Sequence, residues 1–228
     1  MELSDVENKV LVIIKDYLNQ NKVFRAKKIV PFIMTRLKAF DVDLNEQGIQ
    51  KILWKFIREH IVVPGSKLMK ETILETNTRK TIFNFIDKNP GTYLREIMDH
   101  HDLGSHETLW HLNLLLKFNL IRAKKIGRYK TYFNAKMPED YDEEMFYLGD
   151  PDINLIIQTL VEQNEGMLIN HVAEKLGHNF NTVKSNLEKL SQLELVKVSQ
   201  GGDGQAFYSV NPEKFKEALH GIEAMKTQ

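Results

Sequence analysis

The 228-residue sequence contains no cysteine. That absence removes disulfide frameworks, thiolate metal centres and cysteine nucleophiles, and nothing points to an oxidising compartment. Long apolar runs are missing too: no window approaches the ~18 uninterrupted apolar residues of a membrane helix, so no membrane insertion is expected. The opening MELSDVENKV is acidic and lacks the apolar stretch of a secretion signal, which predicts a soluble, cytoplasmic protein. No phosphate-binding G-x-x-x-x-G-K-[ST] loop, G-x-G-x-x-G fingerprint, H-E-x-x-H zinc pair or G-x-S-x-G elbow occurs, so the chain reads as a non-enzyme without a cofactor. Net charge is also lacking, with 31 Lys and Arg against 31 Asp and Glu. Duplex binders usually carry a basic excess that displaces counterions, so an even spread of charge would argue against nucleic acid.

The spread is uneven. Residues 1–70 hold 13 basic and 8 acidic side chains, and 71–140 hold 11 and 9. From Thr108 to Pro138 there is no Asp or Glu, while Lys117, Arg122, Lys124, Lys125, Arg128, Lys130 and Lys136 all fall inside. Directly after it, EDYDEEMFYLGDPD (139–152) has seven acids and no base, and reads as an acidic linker. The closing stretch, 153–228, holds 7 basic and 9 acidic side chains.

A threefold repeat runs through the chain. The segments 45–63, 105–123 and 180–198 share one frame of apolar positions at i, i+4, i+7 and i+12/13. It falls on Ile49, Leu53, Phe56 and Ile61-Val62, on Thr108, Leu112, Leu115 and Leu120-Ile121, and on Val183, Leu187, Leu190 and Leu195-Val196. The first three positions make one face of a helix, and the pair marks the step into a strand. Two shorter helical stretches precede each segment: 6–18 with 25–37, 78–88 with 92–104, and 154–163 with 168–179. Gly91, Gly104, Gly166 and Gly177 punctuate the junctions. Alternating residues about Gly127 and Arg128, and again about the GGDG at 201–204, predict hairpins after the second and third segments. After the first, VVPGSKL leaves room for only a stunted wing. Pro212 opens a terminal amphipathic helix with Phe215, Leu219, Ile222 and Met225 on one stripe, suited to capping its own domain or pairing in a dimer.

Helix-turn-helix plus hairpin is the winged-helix arrangement. The run NPGTYLREI…LGSHETLWHLNLLLKFNLIRAKKIGRYKTYF, with its NPG turn, T-x-x-H-L-x-x-L helix, F-N-L-I exit and G-R-Y-K wing, is similar to the archaeal branch of ArsR-like winged helix-turn-helix proteins. The resemblance covers about residues 78–136, while 153–211 fit the general frame and 1–67 fit it more loosely. It implies an archaeal, DNA-binding protein in which the third helix enters the major groove and the wing touches phosphate or the minor groove. The expected fold is mostly α with small β-hairpin wings (α+β), in three tandem winged-helix units. The boundaries are a 1–70 unit with reduced wing, a 71–138 middle domain, the 139–152 acidic linker, and a 153–228 domain with a terminal helix.

Readers of DNA turn polar side chains toward base edges and cations toward phosphates. The middle wing is the strongest signal: Arg122, Lys124, Lys125, Arg128 and Lys130 interleave with Tyr129, Tyr132 and Phe133, and Lys117 lies just upstream. On the middle third helix His106, Asn113 and His111 are the polar candidates, His111 through a local bond or a phosphate. The same helix offers Leu109, Trp110 and Leu116, which suit an interaction surface better than base readout. In the last unit Asn181, Thr182, Lys184 and Ser185 follow a turn at a helix start, and in the first Arg25, Lys27 and Lys28 do the same. Asp99, His100, His101, Asp102, His106 and His111 form a local cluster, but adjacent histidines point apart and surface histidines are the expected reading, with no metal. The leading expectation is a tandem winged-helix regulator of transcription that binds double-stranded DNA. The alternative is a winged-helix scaffold subunit, as in ESCRT-II-like assemblies, that meets a homodimer mate or another protein through these surfaces and binds no DNA.

Overall fold

Each of the sequence's helical frames is closed by the same backbone device. A computed structural model of the chain describes residues 3–21, 23–163, 166–202 and 204–226. The fold is mostly helical with short antiparallel strands, an α+β class. Helices α1 (Asp5–Gln20), α2 (Ala26–Leu37) and α3 (Glu46–Arg58) come first, then α4 (Asn77–Lys88), α5 (Leu94–His101) and α6 (Ser105–Lys117). The hairpin β1 (Ile121–Ile126) and β2 (Tyr129–Asn134) follows, then α7 (Asp142–Leu148), α8 (Pro151–Val161), β3 (Met167–Leu168), α9 (Ile169–Leu176) and α10 (Phe180–Gln192). The chain ends with β4 (Val196–Gln200), β5 (Ala206–Val210) and α11 (Pro212–Lys226). Among the described residues no helix is long and apolar enough to cross a membrane.

The exit of α3, α6 and α10 shows what the repeat encodes. His60, Asn119 and Glu194 take left-handed φ values of 57°, 50° and 59°. The next amide reaches back five residues each time: Ile61 to the Phe56 carbonyl at 2.9 Å, Leu120 to Leu115 at 3.0 Å, and Leu195 to Leu190 at 2.9 Å. The left-handed residues themselves donate to Ile57, Leu116 and Ser191 at 3.1, 3.0 and 3.0 Å. This pair of hydrogen bonds is the Schellman stop, whose apolar contact joins the residues bracketing the turn. It explains why the frame carries apolar residues at i+7 and i+12. The preceding turns use the same stop, with Asp41, Asp102 and Gly177 at φ 51°, 51° and 64°. Gly104, one of the junction glycines, has φ −69° and sits at the N-cap of α6.

The chain divides into two compact units, Met1–Asn84 with Met98–Arg122, and Phe85–Ile97 with Ala123–Gln228. In the first unit Val10, Ile13, Ile14, Ile29, Ile33, Ile49, Leu53 and Phe56 of α1, α2 and α3 form one core. Ser4 and Glu7 close a capping box at α1, and the Asn45 side chain accepts from Gly48 N at 2.8 Å at α3. Phe24 is tied to the segment after α3 by bonds with Ser66 and Gly65 at 2.8 and 2.9 Å, and Val62 bridges Met69, so the expected short wing is a single bridge. A smaller cluster gathers Val63, Ile73 and Phe118 with Leu114 and Leu120.

In the second unit β3, β5 and β4 form a three-stranded antiparallel sheet with Met167 opposite Tyr208 and Val198 opposite Tyr208. Tyr93 bridges Thr131 in the same way that β3 meets β5. These strands between helices were absent from the sequence reading because two residues are too few to show a period. Ile153, Ile156, Val172, Val183, Leu187, Leu190 and Leu195 build the core. The run expected to be a linker contains α7, whose Met145 and Tyr147 enter that core. Its acids had masked the apolar MFYL at 145–148. On α11 Ala218 and Ile222 are buried in the same core while Leu219 is exposed, so the helix caps its own unit. Gly221 permits this packing, since a Cβ there would stand 2.4 Å from the Tyr141 ring.

Candidate nucleic-acid interface

The middle wing is a hairpin with a buried back and a cationic front. In β1 Ile121 and Ile126, five positions apart and so on opposite faces of the strand, are both buried, while Lys125 is exposed. Gly127 takes φ 55° at the first position of the two-residue turn. β2 departs from the expected alternation too, because Thr131, Tyr132 and Phe133 are all buried. Thr131 donates to the Lys124 carbonyl at 2.8 Å, Phe133 enters the core, and Tyr132 lies beneath the Lys130 ammonium, 5.7 Å from its ring centre. Tyr132 and Phe133, read from the sequence as interleaved with the cations, are therefore core residues, and only the half-buried Tyr129 reaches the surface.

Lys124, Lys125, Arg128 and Lys130 line one shallow depression of about 320 Å³ together with Ala123. Arg128 is held in place: its guanidinium donates to the Tyr129 hydroxyl at 2.7 Å and lies 5.0 Å from that ring's centre. Lys124 is different in kind. Its ammonium is 3.5 Å from the Asp142 carboxylate, whose side chain is 0% exposed, so part of its charge is spent inside the protein. Arg122 is half-buried, and Lys117 is exposed in the last turn of α6. Like charges gathered around one depression raise its positive potential and favour an anion there.

Helix α6 presents a mixed face. His106 and Asn113 are exposed, and so are Leu109 (38%) and Trp110 (55%), while Leu116 is half-buried. His111 is only 4% exposed, which corrects its reading as a phosphate contact: its ring packs edge-on against Trp110 at 4.7 Å, with Nε2 3.8 Å from a Glu107 oxygen. Burial, and then the Arg79 charge, hold this imidazole below its ordinary pKa, so it is neutral near pH 7. Arg79 is itself buried, donating to the Ile73 carbonyl at 2.6 Å and to the Thr76 hydroxyl, with its guanidinium 5.6 Å from the Trp110 ring.

The other candidates are accessible. Asn181, Thr182, Lys184 and Ser185 lie exposed on α10, where Asn179 caps the helix by accepting from Asn181 N at 2.8 Å and Lys184 stands 3.9 Å from Glu188. Arg25 occupies the N-cap of α2 without a side-chain cap bond, and Arg25, Lys27 and Lys28 are exposed around that helix start. The positive end of a helix dipole favours an anion there. Sequence reading missed Asp142 as the partner of Lys124 and Arg79 as the cation under Trp110. Neither carried a signal, because both act across long sequence separations or from within an acidic run.

No protein-family model matches the chain. Over 141 residues, 62% of this chain, the sequence is 33% identical to an uncharacterized HTH-type transcriptional regulator of Methanocaldococcus jannaschii. The chain spans about a third of that protein's length, 35% of it. A crystal structure of a bacterial selenocysteine-specific elongation factor covers 91% of this chain and 30% of its own at 18% identity and a TM-score of 0.29, a likeness that carries no argument.

Proposed function

We propose that the protein is a transcriptional regulator that binds double-stranded DNA through winged-helix units arranged in tandem. The units are 1–70, 71–138 and 153–228, with 139–152 between the last two. The observation that carries this reading is the cationic face of the middle wing, where Lys125, Arg128 and Lys130 stand exposed around one depression while the back of the hairpin is core. The likeness to a protein named as an HTH-type transcriptional regulator supports it. In this reading Lys125, Arg128 and Lys130, with Lys117, Arg122 and part of Lys124, hold phosphates and fix position. Arg25, Lys27 and Lys28 hold phosphate at the start of α2. His106 and Asn113 on α6, and Asn181, Thr182, Lys184 and Ser185 on α10, face base edges.

Fluorescence anisotropy on a mixed-sequence duplex in low salt tests the proposal. Saturable binding is expected, and the triple change Lys125→Ala, Arg128→Ala, Lys130→Ala should weaken it for all sequences alike. Undetectable binding by the folded wild-type protein overturns the proposal. Lys124 is left intact in this test because its ammonium faces the buried Asp142 carboxylate.

A further inference from the structure

A second site lies within the Phe85–Ile97 and Ala123–Gln228 unit, away from the depression on the wing face. The NPG turn, the start of α8 and helices α7 and α11 enclose a cleft of about 620 Å³. Its walls are aromatic: Tyr93 and Tyr129 have ring centres 4.5 Å apart, and Tyr129 and Phe146 5.9 Å apart. Two carboxylates, Glu96 and Asp150, line it together with Lys88, and the Arg128 guanidinium lies against the Tyr129 wall.

Those carboxylates are positioned without being neutralised. Glu96 accepts from the Thr92 hydroxyl at 2.7 Å and from the Tyr93 amide at 3.3 Å, and Asp150 accepts from the Asp152 amide at 2.9 Å. Both therefore serve as helix caps, and each keeps a second oxygen for a ligand. Burial first, then the Glu96 charge, with smaller parts from Tyr129 and Asp150 and against the opposing Arg95 charge, holds the Tyr93 phenol above its ordinary pKa. Aromatic faces present negative charge to whatever lies over them, and a ring wall next to two carboxylates attracts an organic cation over a neutral or anionic molecule. Tyr129 already accepts one such partner, since Arg128 lies against its ring.

We propose that this cleft, walled by Tyr93, Tyr129 and Phe146 and charged by Glu96 and Asp150, binds a small organic cation of the ammonium or guanidinium class. The site belongs to the protein alone and stands whether or not the wing binds DNA. The test is isothermal titration of the full chain, without DNA, using choline as probe and 3,3-dimethyl-1-butanol as the neutral molecule of the same shape. Choline should bind about tenfold more tightly than the alcohol, the scale of a desolvated cation–π contact. The double variant Glu96→Gln, Asp150→Asn keeps both caps and removes both charges, so it should fold as the wild type does by circular dichroism and lose at least tenfold in choline affinity. Phe146→Leu should also weaken choline and leave the alcohol unchanged. Equal binding of choline and the alcohol, no detectable choline binding, or an unchanged affinity in the folded double variant each overturns the proposal.

Discussion

Replacing Glu194 with glycine should stabilise the protein. Glu194 holds φ 59° in the stop that ends α10, a conformation in which a Cβ crowds the following carbonyl. That strain costs a residue with a side chain about 1–2 kcal/mol, whereas glycine's extra freedom in the unfolded chain costs about 0.5–1 kcal/mol. The difference leaves a net gain of about 0.5–1 kcal/mol, or about 1–4 °C in melting temperature for a chain of this size. The backbone bonds survive the change: the Glu194 amide still donates to Ser191, and its carbonyl still accepts from the Asn211 side chain at 2.9 Å. The two sister positions provide internal controls. Asn119→Gly should gain less, because asparagine tolerates the left-handed region, and His60→Gly should gain less because its ring nitrogen, 3.1 Å from the Lys117 carbonyl, is lost. Thermal and urea unfolding followed by circular dichroism would measure all three, with Glu194→Val as the opposite case, since a β-branched residue is worst there. If Glu194→Gly is neutral or destabilising while Glu194→Val matches Glu194→Ala, the assignment of the repeat to a left-handed stop is wrong.

Further outcomes follow from the packing and the charges. Gly91→Ala should destabilise by about 2 kcal/mol or more in urea unfolding, because Gly91 has φ 90° and a Cβ there would stand 3.0 Å from the Phe146 backbone. Lys124→Ala should cost about 0.5–1 kcal/mol by removing one ion-pair partner of the buried Asp142 carboxylate, discounted because the Lys124 side chain is 37% exposed, whereas Lys125→Ala should leave unfolding unchanged. The Lys55 ammonium, 2.6 Å from Glu7, together with the Ser4 amide, holds the Glu7 carboxyl below its ordinary pKa of 4.5. A depressed carboxylate contributes its full stability above that ordinary value and loses it as pH falls through the folded one. Glu7→Gln should therefore be less stable than wild type at pH 7 and converge with it in acid, which unfolding at a series of pH values would measure.

The apolar frame at i, i+4, i+7 and i+12 was legible because it records two local demands at once, a helix face and the contact across a Schellman stop. The left-handed residue inside that stop was not legible: His60, Asn119 and Glu194 share no chemistry, and glycine is absent from all three. The wing's cations were readable as a strip without acids, but the burial of Tyr132 and Phe133 was not, since alternation assumes one solvated face and β2 is covered at 131–133. Helix α7 was hidden in the same way. Charge composition pointed to a linker, while four consecutive apolar residues decided the outcome once a core was there to receive them. His111 shows the limit of motif reasoning, because a histidine on a third helix points to core or to DNA according to which side of the Thr108–Leu112–Leu115 face it takes.

The neutral total charge makes the salt dependence of DNA affinity the most direct measure of the central claim. Each phosphate contact contributes about 0.9 to the slope of log affinity against log salt. The triple change at Lys125, Arg128 and Lys130 should therefore lower the magnitude of that slope by about 2.5–3 on a mixed-sequence duplex. Parallel lines for the variant and the wild type would contradict the account, since the wing would then hold no phosphate.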